Sequence, residues 1–200
     1  MTKTIRLILL LVVASVALTP AAQAQLRYGF RFGGVFADAS LKDAGSLSLD
    51  NKSGFSGGLM LEYQMPKCGF AADIAVVYTR YNTHLLDDGV KTKPFGRDFI
   101  EVPLHLKYKF WLPAFHDLFG PLVYTGPSLM IRTSDSGPEN FTTRPLQPGW
   151  DVGIGFDIVN FIQITGGYRF GLGNAAKNSP GNATYRTNGW NVAANLIFDF

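Results

Sequence analysis

The stretch Gly189-Trp190-Asn191-Val192-Ala193-Ala194-Asn195-Leu196-Ile197-Phe198-Asp199-Phe200 decides how the rest of the sequence is read. Every second residue from Trp190 to Phe200 is apolar, and Asn191, Asn195 and Asp199 fall between them. A period of two belongs to a β-strand with one apolar and one polar face. A strand of this kind ending on Phe200 is expected to close a membrane barrel, where the last strand must pair so that no open edge meets lipid.

The other end of the sequence carries a different signal. Lys3 and Arg6 precede an apolar run from Leu7 to Leu18, and Ala22-Gln23-Ala24 has the small-x-small form of a cleavage site. Residues 1–24 are expected to be a cleaved signal peptide and residues 25–200 the mature domain. Without Lys3 and Arg6, 16 Lys and Arg face 15 Asp and Glu, so charge gives no reason to expect nucleic acid as a partner. No later apolar run reaches the roughly 18 residues of a transmembrane helix, so any span must be β. The 22 Gly and the 16 Phe, 8 Tyr and 3 Trp suit a barrel with aromatic girdles.

Eight alternating segments are expected, at about Tyr28–Ala37, Ser53–Gln64, Phe70–Tyr81, Asp98–Phe110, Pro121–Thr133, Gly149–Val159, Phe161–Gly173 and Gly189–Phe200. The connections run long, short, long, short, long, short, long. Short ones fall at Met65-Pro66-Lys67-Cys68-Gly69 and at Asn160; the third, Trp111 to Gly120, is longer and aromatic. That rhythm predicts an all-β, eight-stranded antiparallel up-and-down transmembrane barrel, with long loops outside the cell and both termini periplasmic.

Parity separates two faces. The proposed lipid side takes alternate residues from Tyr28 to Phe36, Phe55 to Tyr63, Phe70 to Tyr78, Ile100 to Phe110, Trp150 to Ile158, Ile162 to Phe170 and Trp190 to Phe200. These 37 positions hold no charge. The opposite face carries Arg31, Glu62, Asp73, Glu101, Lys107, Lys109, Asp151, Asp157, Arg169 and Asp199, together with His105. In the fifth segment neither the Leu122/Tyr124/Gly126/Ser128/Met130 set nor the Val123/Thr125/Pro127/Leu129/Ile131 set declares itself the wet face. Aromatics gather at both ends of the outward set, with Phe99 assigned to the outer rim, as headgroup belts require.

Eight strands leave an interior just wide enough for side chains. The inward charges therefore read as an interior network of ion pairs, because charges in low dielectric must be paired. His105, four residues from Glu101 on the same face, reads as a member of that network. His84 and His116 fall in connections, and no Ser is placed to complete a catalytic triad. No His, Cys or Asp spacing suggests a metal, and no cofactor is expected. Gly153-Ile154-Gly155 lacks a following helix and reads as close approach inside a barrel. Cys68 reads as an isolated turn thiol. The sequons at Asn51, Asn140 and Asn182 all fall in loops.

Phe99-Ile100-Glu101-Val102-Pro103-Leu104-His105-Leu106-Lys107-Tyr108 resembles the "ylEiPlllky" strand of the PorT-like family of bacterial outer-membrane β-barrel proteins. Gly120 to Ser128 and Asp151 to Phe156 fit the same pattern. The resemblance implies a non-enzymatic outer-membrane barrel, and it places Pro103 inside a strand, where a bulge or kink is expected.

The expected partners are outer-membrane lipid, the barrel-assembly machinery and another envelope protein. Leu196, Phe198 and Phe200 resemble the terminal signal that the machinery reads. A small pore, a lipid-modifying enzyme and a soluble periplasmic barrel are the competing readings.

Overall fold

The structure is a computed structural model. It describes residues 25–37, 40–42, 48–51, 53–65, 68–87, 90–91, 95–110, 119–135, 142–159, 161–173, 176–178 and 184–199. The expected signal peptide at 1–24, most of the expected turn from Trp111 to Gly120, Asn160 and Phe200 lie outside the described residues.

Eight long strands form the wall: β1 Gln25–Ala37, β2 Ser53–Gln64, β3 Phe70–Asp87, β4 Phe95–Lys109, β5 Phe119–Asp135, β6 Leu146–Ile158, β7 Ile162–Gly171 and β8 Gly189–Asp199. Each pairs antiparallel with the next, and β8 returns to β1. The closing seam runs without a register shift from Arg27↔Asp199 to Ala37↔Gly189. The barrel is closed, so no long strand has a free edge.

The two faces sort as parity requires. Outward side chains are large, apolar and exposed, among them Leu59 at 61% and Ile154 at 60%. Inward ones are buried and mostly polar. On β5 the inward set is Leu122, Tyr124, Gly126, Ser128 and Met130. Its outward Thr125 is made compatible with lipid by its neighbours: the hydroxyl donates to the Asp151 carbonyl at 3.2 Å and accepts from Trp150 Nε1 at 2.8 Å.

Three local expectations change. Phe99 points into the barrel, 3% exposed, with its ring edge-on to Tyr81 at 5.7 Å; it is not an outer-rim residue. Pro103 produces no bulge. The register is constant on both sides of it, although the ladder to β3 skips from Ile74↔Leu104 to Val77↔Glu101, as a residue without an N–H allows. The shift in β4 falls instead between Asp98 and Phe99. Finally, much of the expected loop after Tyr81 is strand: β3 continues to Asp87 and meets Val90–Lys91. Thr83-His84-Leu85-Leu86-Asp87 shows no apolar alternation, so the pattern gave no sign of it.

Tyr124 shows how the interior is filled. An added Cβ at Gly153 would lie 2.4 Å from the Tyr124 ring, and one at Gly167 would lie 2.2 Å from its hydroxyl. The two glycines make the slot for this ring. Gly153→Ala is expected to cost about 1–3 kcal/mol, read as a lower temperature for conversion of the folded to the unfolded band on gels. An unchanged conversion temperature would show that the ring has room to move.

Candidate functional site: the charged interior

The inward residues of all eight strands meet in one network. Near the end of the barrel where β1 begins and β8 ends, Lys109 Nζ lies 2.6 Å from Glu62 Oε1 and 2.9 Å from Asp157 Oδ2. Arg27 donates to Asp199 at 2.8 Å and to Gln64 at 3.1 Å.

At mid-height Lys107 is fully enclosed. Its Nζ is 2.7 Å from Glu62 Oε2, 2.6 Å from Asp73 Oδ2 and 2.6 Å from Gln163 Oε1. Arg31 reaches Asp73 at 3.7 Å and donates to Asn195 at 2.8 Å. Asp73 is held by these close cations rather than by well-aligned hydrogen bonds.

Above this layer Asp151 is the hub. Arg169 Nε donates to its Oδ1 at 2.9 Å, Ser128 donates to the same oxygen at 2.9 Å, and His105 Nε2 lies 3.1 Å from Oδ2. Arg169 also pairs with Glu101 at 2.9 Å, and Tyr81 donates to Glu101 at 3.2 Å. His105 Nδ1 faces Asp73 at 3.4 Å, so this one ring joins the middle layer to the upper one.

Arg31, Glu62, Asp73, Glu101, His105, Lys107, Asp151, Asp157 and Arg169 thus all enter the network. Sequence reading missed Arg27, one residue outside its expected strand, and the neutral linkers Gln64, Gln163 and Asn195. A charge on one face announces itself; an amide on that face does not. Asp199, counted as inward, sits at the rim with its side chain 64% exposed.

The network fills the middle of the barrel. Glu62, Gln163 and Asn195 are 0% exposed and Lys107 is 1% exposed, and together they form a close-packed layer across the barrel. Above it a cavity of about 50 Å3, lined among others by Arg31, Tyr124, Glu101 and Asp151, has room for a few waters. Ser128, His105 and Asp151 stand together, but the serine donates to the carboxylate and not to the imidazole. The base that would activate a serine is therefore bound elsewhere. Among the described residues no group of three or more His, Cys, Asp or Glu is arranged to hold a metal.

The profile of the outer membrane protein beta-barrel domain matches residues 8–198. The chain belongs to that family. Its place is accordingly the bacterial outer membrane.

Solved structures with the same fold include OprG from Pseudomonas aeruginosa, with a TM-score of 0.61 and 12% identity over 88% of this chain and 96% of that one. Neisserial surface protein A is similar with a TM-score of 0.51 and 16% identity, over 86% of this chain and 97% of that one. At these identities the likeness is one of fold. No curated protein matches the chain in sequence.

Proposed function

We propose that this protein is a non-catalytic outer-membrane barrel that does not conduct and acts through its outer surface. The observation that supports this reading is the layer of Lys107, Glu62, Gln163 and Asn195 across the barrel, whose side chains are buried and bonded to one another. The strands also outrun the membrane. β3 and β5 have 18 and 17 residues, against the 9–11 or so of a membrane strand, and short ladders tie the connecting segments together. Ser40–Lys42 pairs with Thr184–Arg186, and Thr142–Thr143 with Ala176–Asn178. A knitted end of this kind offers a contact surface on a rigid scaffold.

In this reading residues 1–24 are the signal peptide that exports the chain, and the knitted end faces outward. Leu196, Phe198 and Phe200 are the terminal signal for the assembly machinery, and another envelope protein is the expected partner. The strand around Pro103 supports the finer PorT-like assignment. Planar-bilayer recordings of the refolded protein are the test. Silent membranes are expected with fully heat-modifiable protein; steady single-channel steps would replace the closed barrel with a small pore.

A further inference from the structure

The lipid face is not uniform, and one sector of it ends beside an exposed arginine. Trp150 pairs with Phe170 across β6 and β7, and Tyr168 pairs with Trp190 across β7 and β8. The Tyr168 ring lies 4.9 Å from both Phe170 and Trp190. Trp150, Phe170 and Trp190 are 43%, 47% and 59% exposed. The Trp150 indole is fixed by its bond to Thr125.

Toward the connecting segments this aromatic surface continues as Leu146 and Leu172, each about half exposed. Beyond them, at the mouth of the barrel, lies a cleft of about 100 Å3 between the inward Gln147 and Arg169 and the outward Leu146 and Leu172, with Arg144 and Thr187 also in its lining and no carboxylate among the described residues that line it. The cleft is built rather than accidental. Gln147 donates to the Arg144 carbonyl at 3.1 Å and accepts from the Thr187 hydroxyl at 2.7 Å.

The charge balance differs between the two sides of the barrel. Arg80, exposed on β3 at the same end, lies 3.7 Å from Asp98. Arg169 reaches the cleft but is held by Asp151 and Glu101. The exposed Arg144 guanidinium meets no carboxylate among the described residues. An amphiphile with an anionic head matches this sector on both counts: its chains meet the rings and leucines, and its head meets a cation that has no counter-charge among the described residues.

We propose that the outer end of β6 and β7 is a docking site for a phosphate-bearing glycolipid of the outer leaflet, of the lipid A type, with its phosphate at Arg144. This rests on the outward orientation of the knitted end given above. The binding test is made in detergent, so it can fail without touching that orientation.

The refolded full chain is titrated with diphosphoryl lipid A and with its dephosphorylated form, reading tryptophan fluorescence and native mass spectra. Arg144→Gln is expected to weaken lipid A binding about tenfold, the scale of a lost charge-assisted hydrogen bond, and Arg80→Gln to leave it unchanged. Loss of phosphate from the lipid is expected to match the Arg144→Gln effect. Equal binding by Arg144→Gln and the parent overturns the proposal, as does equal weakening by Arg80→Gln. Competition by millimolar inorganic phosphate points to a free-anion site and overturns the lipid assignment. An altered oligomer in Arg144→Gln with unaltered lipid binding makes the sector a protein interface instead.

Discussion

Replacing Lys107 by Met is expected to cost the barrel about 3–5 kcal/mol of unfolding free energy, the range for removing one partner of a buried ion pair. The side chain is 0% exposed, and its ammonium group stands between Glu62 and Asp73 at 2.7 and 2.6 Å. Without it the two carboxylates are not equally exposed to harm. Glu62 keeps Lys109 at 2.6 Å and Arg27 at 3.6 Å. Asp73 keeps only longer contacts, to Arg31 at 3.7 Å and His105 at 3.4 Å.

The stranded group is therefore Asp73, and this makes the prediction specific. Adding Asp73→Asn to Lys107→Met is expected to restore most of the loss, because it removes the uncompensated charge. The same change is expected to destabilise the parent. Urea unfolding in detergent, followed by tryptophan emission, gives the four free energies of the double-mutant cycle. A loss in Lys107→Met below about 1 kcal/mol, the range of solvated pairs, would mean that water reaches this layer, and the closed-barrel reading would go with it.

The same residues show what could and could not be read in advance. Parity identified the wet face on seven strands because a charge there is unambiguous, and Asp73, Lys107 and Asp151 needed no structure to be placed inside. β5 resisted because its inner face holds Leu122 and Met130 while its outer face holds Thr125, whose polarity is cancelled by Trp150 and the Asp151 backbone. Sharing a face also says nothing about partners. Glu101 and His105 lie on one strand face, but four residues of strand span about 13 Å. His105 reaches Asp73 on the neighbouring β3 and Asp151 on β6 instead, while Glu101 meets Arg169. The pairing follows from closure and register, which no single strand encodes. The cleft at Arg144 was invisible for a related reason: it needs the start of β6, the end of β7, Met130 of β5 and Thr187 brought together.

Leu59→Arg puts the other half of the fold to the test. Leu59 stands midway between Phe55 and Tyr63 along the outward face of β2, and it is 61% exposed. On a water-soluble barrel a substitution at so exposed a position is worth no more than about 0.5 kcal/mol either way. In a bilayer it sits near the midplane, where an arginine costs roughly 2–4 kcal/mol. The comparison is sharpest against Ser53→Arg, at the exposed first position of the same strand, where the depth dependence predicts about 0–1 kcal/mol. Unfolding measured in lipid vesicles is expected to separate the two variants by at least about 1 kcal/mol, and transfer to a short-chain detergent is expected to narrow the gap. Equal stabilities in vesicles would mean that β2 does not cross hydrocarbon. The exposed Leu59, Leu61, Ile74 and Val76 would then require a protein partner in place of lipid.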